Sequence, residues 1–66
     1  MEIIVNGQSC QVAEETTVAG LLEDLGLARK YVAVEVNLQL VPRQEHGERR
    51  LAPGDRLEIV TLVGGG

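Results

Sequence analysis

The sequence predicts an α+β fold, a mixed sheet of four to five strands with one helix packed across one face. Three observations carry that prediction. Ile3-Ile4-Val5 runs into Asn6-Gly7, a dipeptide favoured in two-residue hairpin turns because both positions accept positive φ. Val18, Leu21, Leu22 and Leu25 recur at i, i+3, i+4 and i+7, the apolar stripe of one helix face. Val32, Val34 and Val36 alternate with Ala33, Glu35 and Asn37, as in a strand with one side buried. With 66 residues there is room for one domain, spanning residues 1–66. A chain of this size buries roughly 60% of its unfolded surface.

Each element follows in order. Beyond Asn6-Gly7 a second strand runs through Cys10 and Val12, completing an N-terminal hairpin. Thr16 or Thr17 caps the helix and Gly26 stops it. Gly20 inside the helix costs ~1 kcal/mol relative to alanine, so the helix depends on docking against the sheet. After the strand from Tyr31 to Asn37, residues 37–39 turn the chain into a short strand, Leu40-Val41, ended by Pro42. Residues 42–52 form a loop with one helical turn, pinned inward by Leu51. Pro53-Gly54-Asp55 suits a type II turn, with proline at i+1 and glycine at i+2. The closing strand is 57–63. A single crossover helix between hairpin and later strands places the first and last strands side by side and parallel. The expected core is Ile3, Val5, Val18, Leu21, Leu22, Leu25, Val34, Val36, Leu57 and Ile59.

Composition narrows the function classes. The chain is 44% hydrophobic, too much for a disordered segment, and Tyr31 is its one aromatic residue, so Val, Ile and Leu fill the core. A net charge of −4, with six basic residues that form no stripe, argues against nucleic-acid binding. No apolar run approaches the ~18 residues of a membrane span, and Met1 to Val5 lack a basic leader. The lone Cys10 permits no internal disulfide. The expectation is a cytoplasmic protein that is monomeric alone, with no nucleic-acid or membrane partner.

The strongest functional signal is Gly64-Gly65-Gly66 directly behind a strand. Glycines without Cβ atoms form a thin, flexible tail, 64–66, that presents an unhindered α-carboxylate if Gly66 is terminal. Three residues reach at most ~10 Å, enough to pass a carboxyl into a partner's active site. If Leu57, Ile59 and Thr61 alternate inward, then Glu58, Val60 and Leu62 point outward, together with Ile4 on the neighbouring strand. Ile4, Val60, Leu62 and Val63 thus make an apolar docking patch beside the tail. The bland alternatives are an incidental frayed end and scattered surface residues.

Several residues look chemical and are better explained otherwise. Cys10 shares the inward phase of Val12 and reads as a small core residue, while His46 falls in a charged loop beside Gly47. One Cys and one His lack the spaced partners that zinc requires. Glu14-Glu15 and Glu23-Asp24 read as solvated surface. Arg43, Arg49 and Arg50 lie near Glu45 and Glu48 and read as surface charges.

The element order in under 70 residues with a terminal diglycine resembles the ubiquitin-like β-grasp fold. Within it the chain resembles the ThiS family, the small sulfur carriers of thiamin biosynthesis. The matching stretches are residues 3–7, Thr17-Val18 leading into Leu21-Leu22 and Leu25, Val32 to Asn37 with Val41-Pro42-Arg43, and Gly54-Asp55 with 57–60 up to 63–66. Val41-Pro42-Arg43 is the most family-specific. Leu38 departs from the pattern, standing where many relatives place glycine.

The resemblance implies a chain that is not itself an enzyme and binds no cofactor. A ThiF-type adenylating enzyme uses ATP to form a glycyl-adenylate at Gly66. Sulfur from a persulfide donor, such as a cysteine desulfurase, then displaces AMP and leaves a thiocarboxylate. Thiazole synthase (ThiG) takes the sulfur into the thiazole ring. The alternatives are a related carrier for molybdopterin or another sulfur-containing product, a ubiquitin-like interaction module, and a small thiol enzyme.

Overall fold

The computed structural model describes residues 1–28 and 30–62. Its elements are β1 (Glu2–Val5), β2 (Gln8–Gln11), α1 (Val18–Asp24), β3 (Val32–Val36), β4 (Gln39–Val41), a 3-10 turn (Arg43–Glu45) and β5 (Arg56–Thr61). The five strands form one sheet in the order β2-β1-β5-β3-β4. β5 pairs parallel to β1 and antiparallel to β3, as the crossover argument predicts. This is the mixed sheet with one helix that defines the β-grasp arrangement.

The helix is short and both its ends are capped. Thr17, the N-cap, accepts from Gly20 N at 3.1 Å through its side-chain oxygen. The two preceding donors find the 43–51 segment: Val18 N donates to Arg49 O and Ala19 N to His46 O, each at 2.9 Å. A helix start leaves these groups without intrahelical partners, so the loop that follows β4 completes it. At the other end Gly26 takes φ +74°, Gly26 N donates to Glu23 O at 3.0 Å and Leu27 N to Leu22 O at 2.7 Å. That pair of bonds is a Schellman closure, with Leu27 packing back toward the core.

The buried core is Ile3, Val18, Leu21, Leu22, Val34, Val36, Val41, Leu51, Leu57 and Ile59. Leu25 is a correction: it is 43% exposed. The helix ends at Asp24, and Leu27, brought round by Gly26, takes the inward place that helical spacing assigned to Leu25. Val5 is half-buried rather than buried, and Thr61 is exposed. Seven helical residues span ~10 Å against the ~20 Å of a six-residue strand, so the helix alone does not cover β5: Thr61 at its far end is exposed, while Leu57 near its start stays buried.

Two asparagines hold the central strand from opposite sides. Asn6 (φ +50°) and Asn37 (φ +52°) both sit in left-handed turn positions at the ends of β1 and β3. Asn37 N donates to Arg56 O at 2.7 Å, and its side-chain oxygen accepts from Arg56 N at 3.0 Å. The 37–38 turn carries positive φ at both residues, the geometry of a type I′ turn, with Leu38 at +69°. Gly54 at φ +83° fits the expected type II turn.

Candidate functional site

Val63, Gly64, Gly65 and Gly66, which carry the expected modification and part of the expected patch, lie outside the described residues. The structure fixes the point they follow. Leu62 N donates to Tyr31 O at 2.7 Å, extending the β3–β5 ladder one step past the last strand residue. The Arg43 guanidinium lies over the Tyr31 ring, 5.2 Å from its centroid. This contact is a cation–π pair at the root of the tail. The sequence marks Arg43 only as a surface charge and does not reveal its aromatic partner, because residues twelve apart meet only through the β3–β4 pairing.

The uncovered face of the sheet leads to this root. Ala33 pairs directly with Val60 on that face. Val60 is 56% and Leu62 51% exposed, on the outward phase that alternation gives them, and Ile4 is half-buried. At the other end of β5 a groove of about 460 Å³ opens between the 6–7 and 37–38 turns, lined by Ile4, Leu38, Arg56, Leu57 and Glu58 among others.

Cys10 and His46 are not brought together. Cys10 is half-buried on β2 and packs against the core. His46 sits against β4 at the opposite edge of the sheet, four strand spacings or ~19 Å away. His46 lies in the expected loop and is buried there, with Nε2 3.1 Å from the Val41 carbonyl oxygen. A carbonyl only accepts, so Nε2 carries the proton. With its own carbonyl bound to Ala19 N, His46 ties the helix to β4. Composition hid this, since a histidine among charged residues looks solvated. The acidic pairs are exposed, and Glu15 meets Arg50 at 3.6 Å. Among the described residues no three His, Cys, Asp or Glu side chains form a metal-binding group.

The family model for ThiS matches residues 3–66. The sulfur carrier protein ThiS of Escherichia coli (strain K12) is 33% identical over 66 residues, covering all of both chains. The chain belongs to the ThiS family. A crystal structure of the thiamine biosynthesis protein ThiS from Geobacter metallireducens superposes on this ThiS-family chain with a TM-score of 0.85 at 35% identity, again covering all of both. A thiazole synthase from Paramagnetospirillum magneticum is 39% identical over 66 residues, and the chain spans 20% of that protein's length.

Proposed function

We propose that this ThiS-family chain is a sulfur carrier for thiazole formation and is not itself a catalyst, with the Gly66 carboxyl as the group that is loaded. The observation that carries the reading is the full-length match to a sulfur carrier of the same family and fold. A carboxylate is a poor acyl donor, because its leaving group would be oxide. A ThiF-type enzyme therefore transfers AMP from ATP to Gly66, releasing pyrophosphate. The terminal sulfur of a persulfide attacks the carbonyl carbon and AMP departs. Reduction of the resulting S–S bond by a thiol leaves the thiocarboxylate. The match to thiazole synthases supports thiazole synthase as the protein that then takes the sulfur.

The division of labour on the chain is simple. The sheet presents Tyr31, Arg43, Val60 and Leu62 around the tail root. Gly64 and Gly65 serve as the arm, Val63 joins the partner contacts beside it, and glycine leaves the Gly66 carbonyl uncrowded for attack. The carrier works in the cytoplasm, where ATP and reduced thiols are supplied.

The test is intact mass after incubation with ATP, the cognate adenylating enzyme and a persulfide source. The expected result is replacement of one oxygen by sulfur in the C-terminal peptide. A chain lacking Gly66, or extended by one residue beyond it, gains no sulfur while its unfolding midpoint barely moves. Sulfur incorporation by the extended chain without trimming would overturn the role of Gly66.

A further inference from the structure

The far end of β5 is held from one side only. Pairing with β1 stops at Val5–Leu57 and the Asn6 side chain extends it to Ile59, so beyond that point Val60, Thr61 and Leu62 are laddered through β3 and Tyr31 alone. Burial does not hold this end either, since all three residues are exposed. The last rung, Leu62 N to Tyr31 O at 2.7 Å, therefore sets where the strand stops and free chain begins.

Tyr31 stands one residue ahead of β3 and is 65% exposed, so neither the core nor the strand keeps it in place. Its anchor is Arg43, whose guanidinium lies 5.2 Å from the ring centroid. Arg43 projects from a braced turn. Pro42 O accepts from Glu45 N at 2.9 Å, Arg43 O accepts from His46 N at 3.1 Å, and the buried His46 is bonded to Val41 O through its ring and to Ala19 N through its carbonyl. Among the described residues the one ion pair is Glu15–Arg50, so Arg43 engages the ring and no carboxylate. A rigid part of the molecule is thus tied through one cation–π contact to the least supported rung of the sheet.

We propose that Arg43 and Tyr31 are positioning residues for loading: Arg43 steadies the Tyr31 ring, Tyr31 holds the Leu62 rung closed, and the closed rung fixes how much chain carries the reactive carboxyl. With the rung closed, the Gly66 carboxyl is four residues beyond Leu62 and reaches at most ~14 Å. Opening back to Val60 frees two more residues and extends that limit to ~21 Å. A longer tether lowers the effective concentration of the carboxyl at any one point in a partner's active site. An exposed cation–π contact shifts such an equilibrium roughly two- to fivefold. This inference rests on the carrier reading and adds what sets the length of its arm.

Two measurements on Arg43→Gln and Tyr31→Leu test it: amide hydrogen exchange by NMR, and steady-state sulfur loading with the chain as varied substrate and ATP and persulfide saturating. Each variant should speed exchange at the Leu62 amide roughly two- to fivefold and leave the Ile59 amide unchanged. Each should lower kcat by a similar factor with KM unchanged, because the body of the domain is intact. Tyr31→Phe keeps the ring and restores both readings. The double variant should be no slower than either single one, since Arg43 acts through the ring. An unaltered kcat, or unaltered exchange at Leu62, overturns the positioning role. A raised KM, or an Arg43→Gln effect that persists in full in the Tyr31→Leu chain, also overturns it and makes Arg43 a direct partner contact. Faster exchange at Ile59 as well overturns it by assigning the pair to general stability. An unsubstituted chain that gains no sulfur overturns the carrier reading and the loading role with it, whereas exchange at Leu62 still reports whether the pair holds the strand end.

Discussion

The Asn6 carboxamide bonds the Ile59 backbone at two points, donating from Nδ2 to the carbonyl at 3.1 Å and accepting from the amide at 2.7 Å. β1 turns away at Gly7, so no backbone remains to continue its parallel pairing with β5. A side chain supplies the next rung. Asn6→Gly keeps the left-handed turn and removes both bonds, leaving two partly buried backbone groups of the central strand unpaired. The expected loss is about 1–3 kcal/mol in urea unfolding, with an unchanged slope.

Gly20→Ala should stabilise the chain by about 0.5–1 kcal/mol. An added Cβ would meet Thr17 Oγ1 at 3.4 Å and Thr16 Cγ2 at 3.7 Å, ordinary contact distances. A lowered midpoint would mean that the Thr17 cap cannot accommodate the methyl group.

Leu22 and Leu25 should respond oppositely to truncation, although helical spacing treats them alike. Leu22→Ala removes a buried side chain and is expected to cost about 2–5 kcal/mol, comparable to the whole stability of so small a core. Leu25→Gln, at an exposed cap position, should stay within about 0.5 kcal/mol of the starting chain. Equal losses would restore Leu25 to the core.

His46→Ala is expected to cost about 1–3 kcal/mol by orphaning the Val41 carbonyl and opening a gap between helix and β4. Sulfur loading at saturating partner should persist wherever the variant is folded. Cys10→Ala should load normally as well. Loss of loading in folded Cys10→Ala would revive a thiol mechanism.

Val60→Asp and Leu62→Asp should each leave the circular dichroism spectrum intact and weaken binding to the adenylating enzyme, by roughly tenfold for a contact inside the interface. Unchanged affinity would remove these two residues from the interface.

The strands were legible in sequence because their alternation is local, and the parallel pairing of β1 with β5 followed from having one helix to cross over. The features that escaped depend on non-local partners. Leu27 replaces Leu25 because a Schellman turn, not helical spacing, decides where the chain goes after Asp24. His46 is buried because the 43–51 loop folds back to supply acceptors for the helix start. In sequence Asn6 is a turn former, and only the completed sheet reveals its side chain as a ladder rung.

The strand order has a consequence for biosynthesis. β5, at the centre of the sheet, is the last strand to be made, whereas β1 and β2 lie on one side of it and β3 and β4 on the other. Until residues 56–61 leave the ribosome, the chain holds two separate hairpins, each marginal by itself, and a helix with no completed surface to cover. A prematurely terminated chain therefore stays open to proteolysis instead of persisting as a folded domain. Translation into the strand that bears the tail is what closes the sheet, so folded molecules are those that have already made the root of the arm.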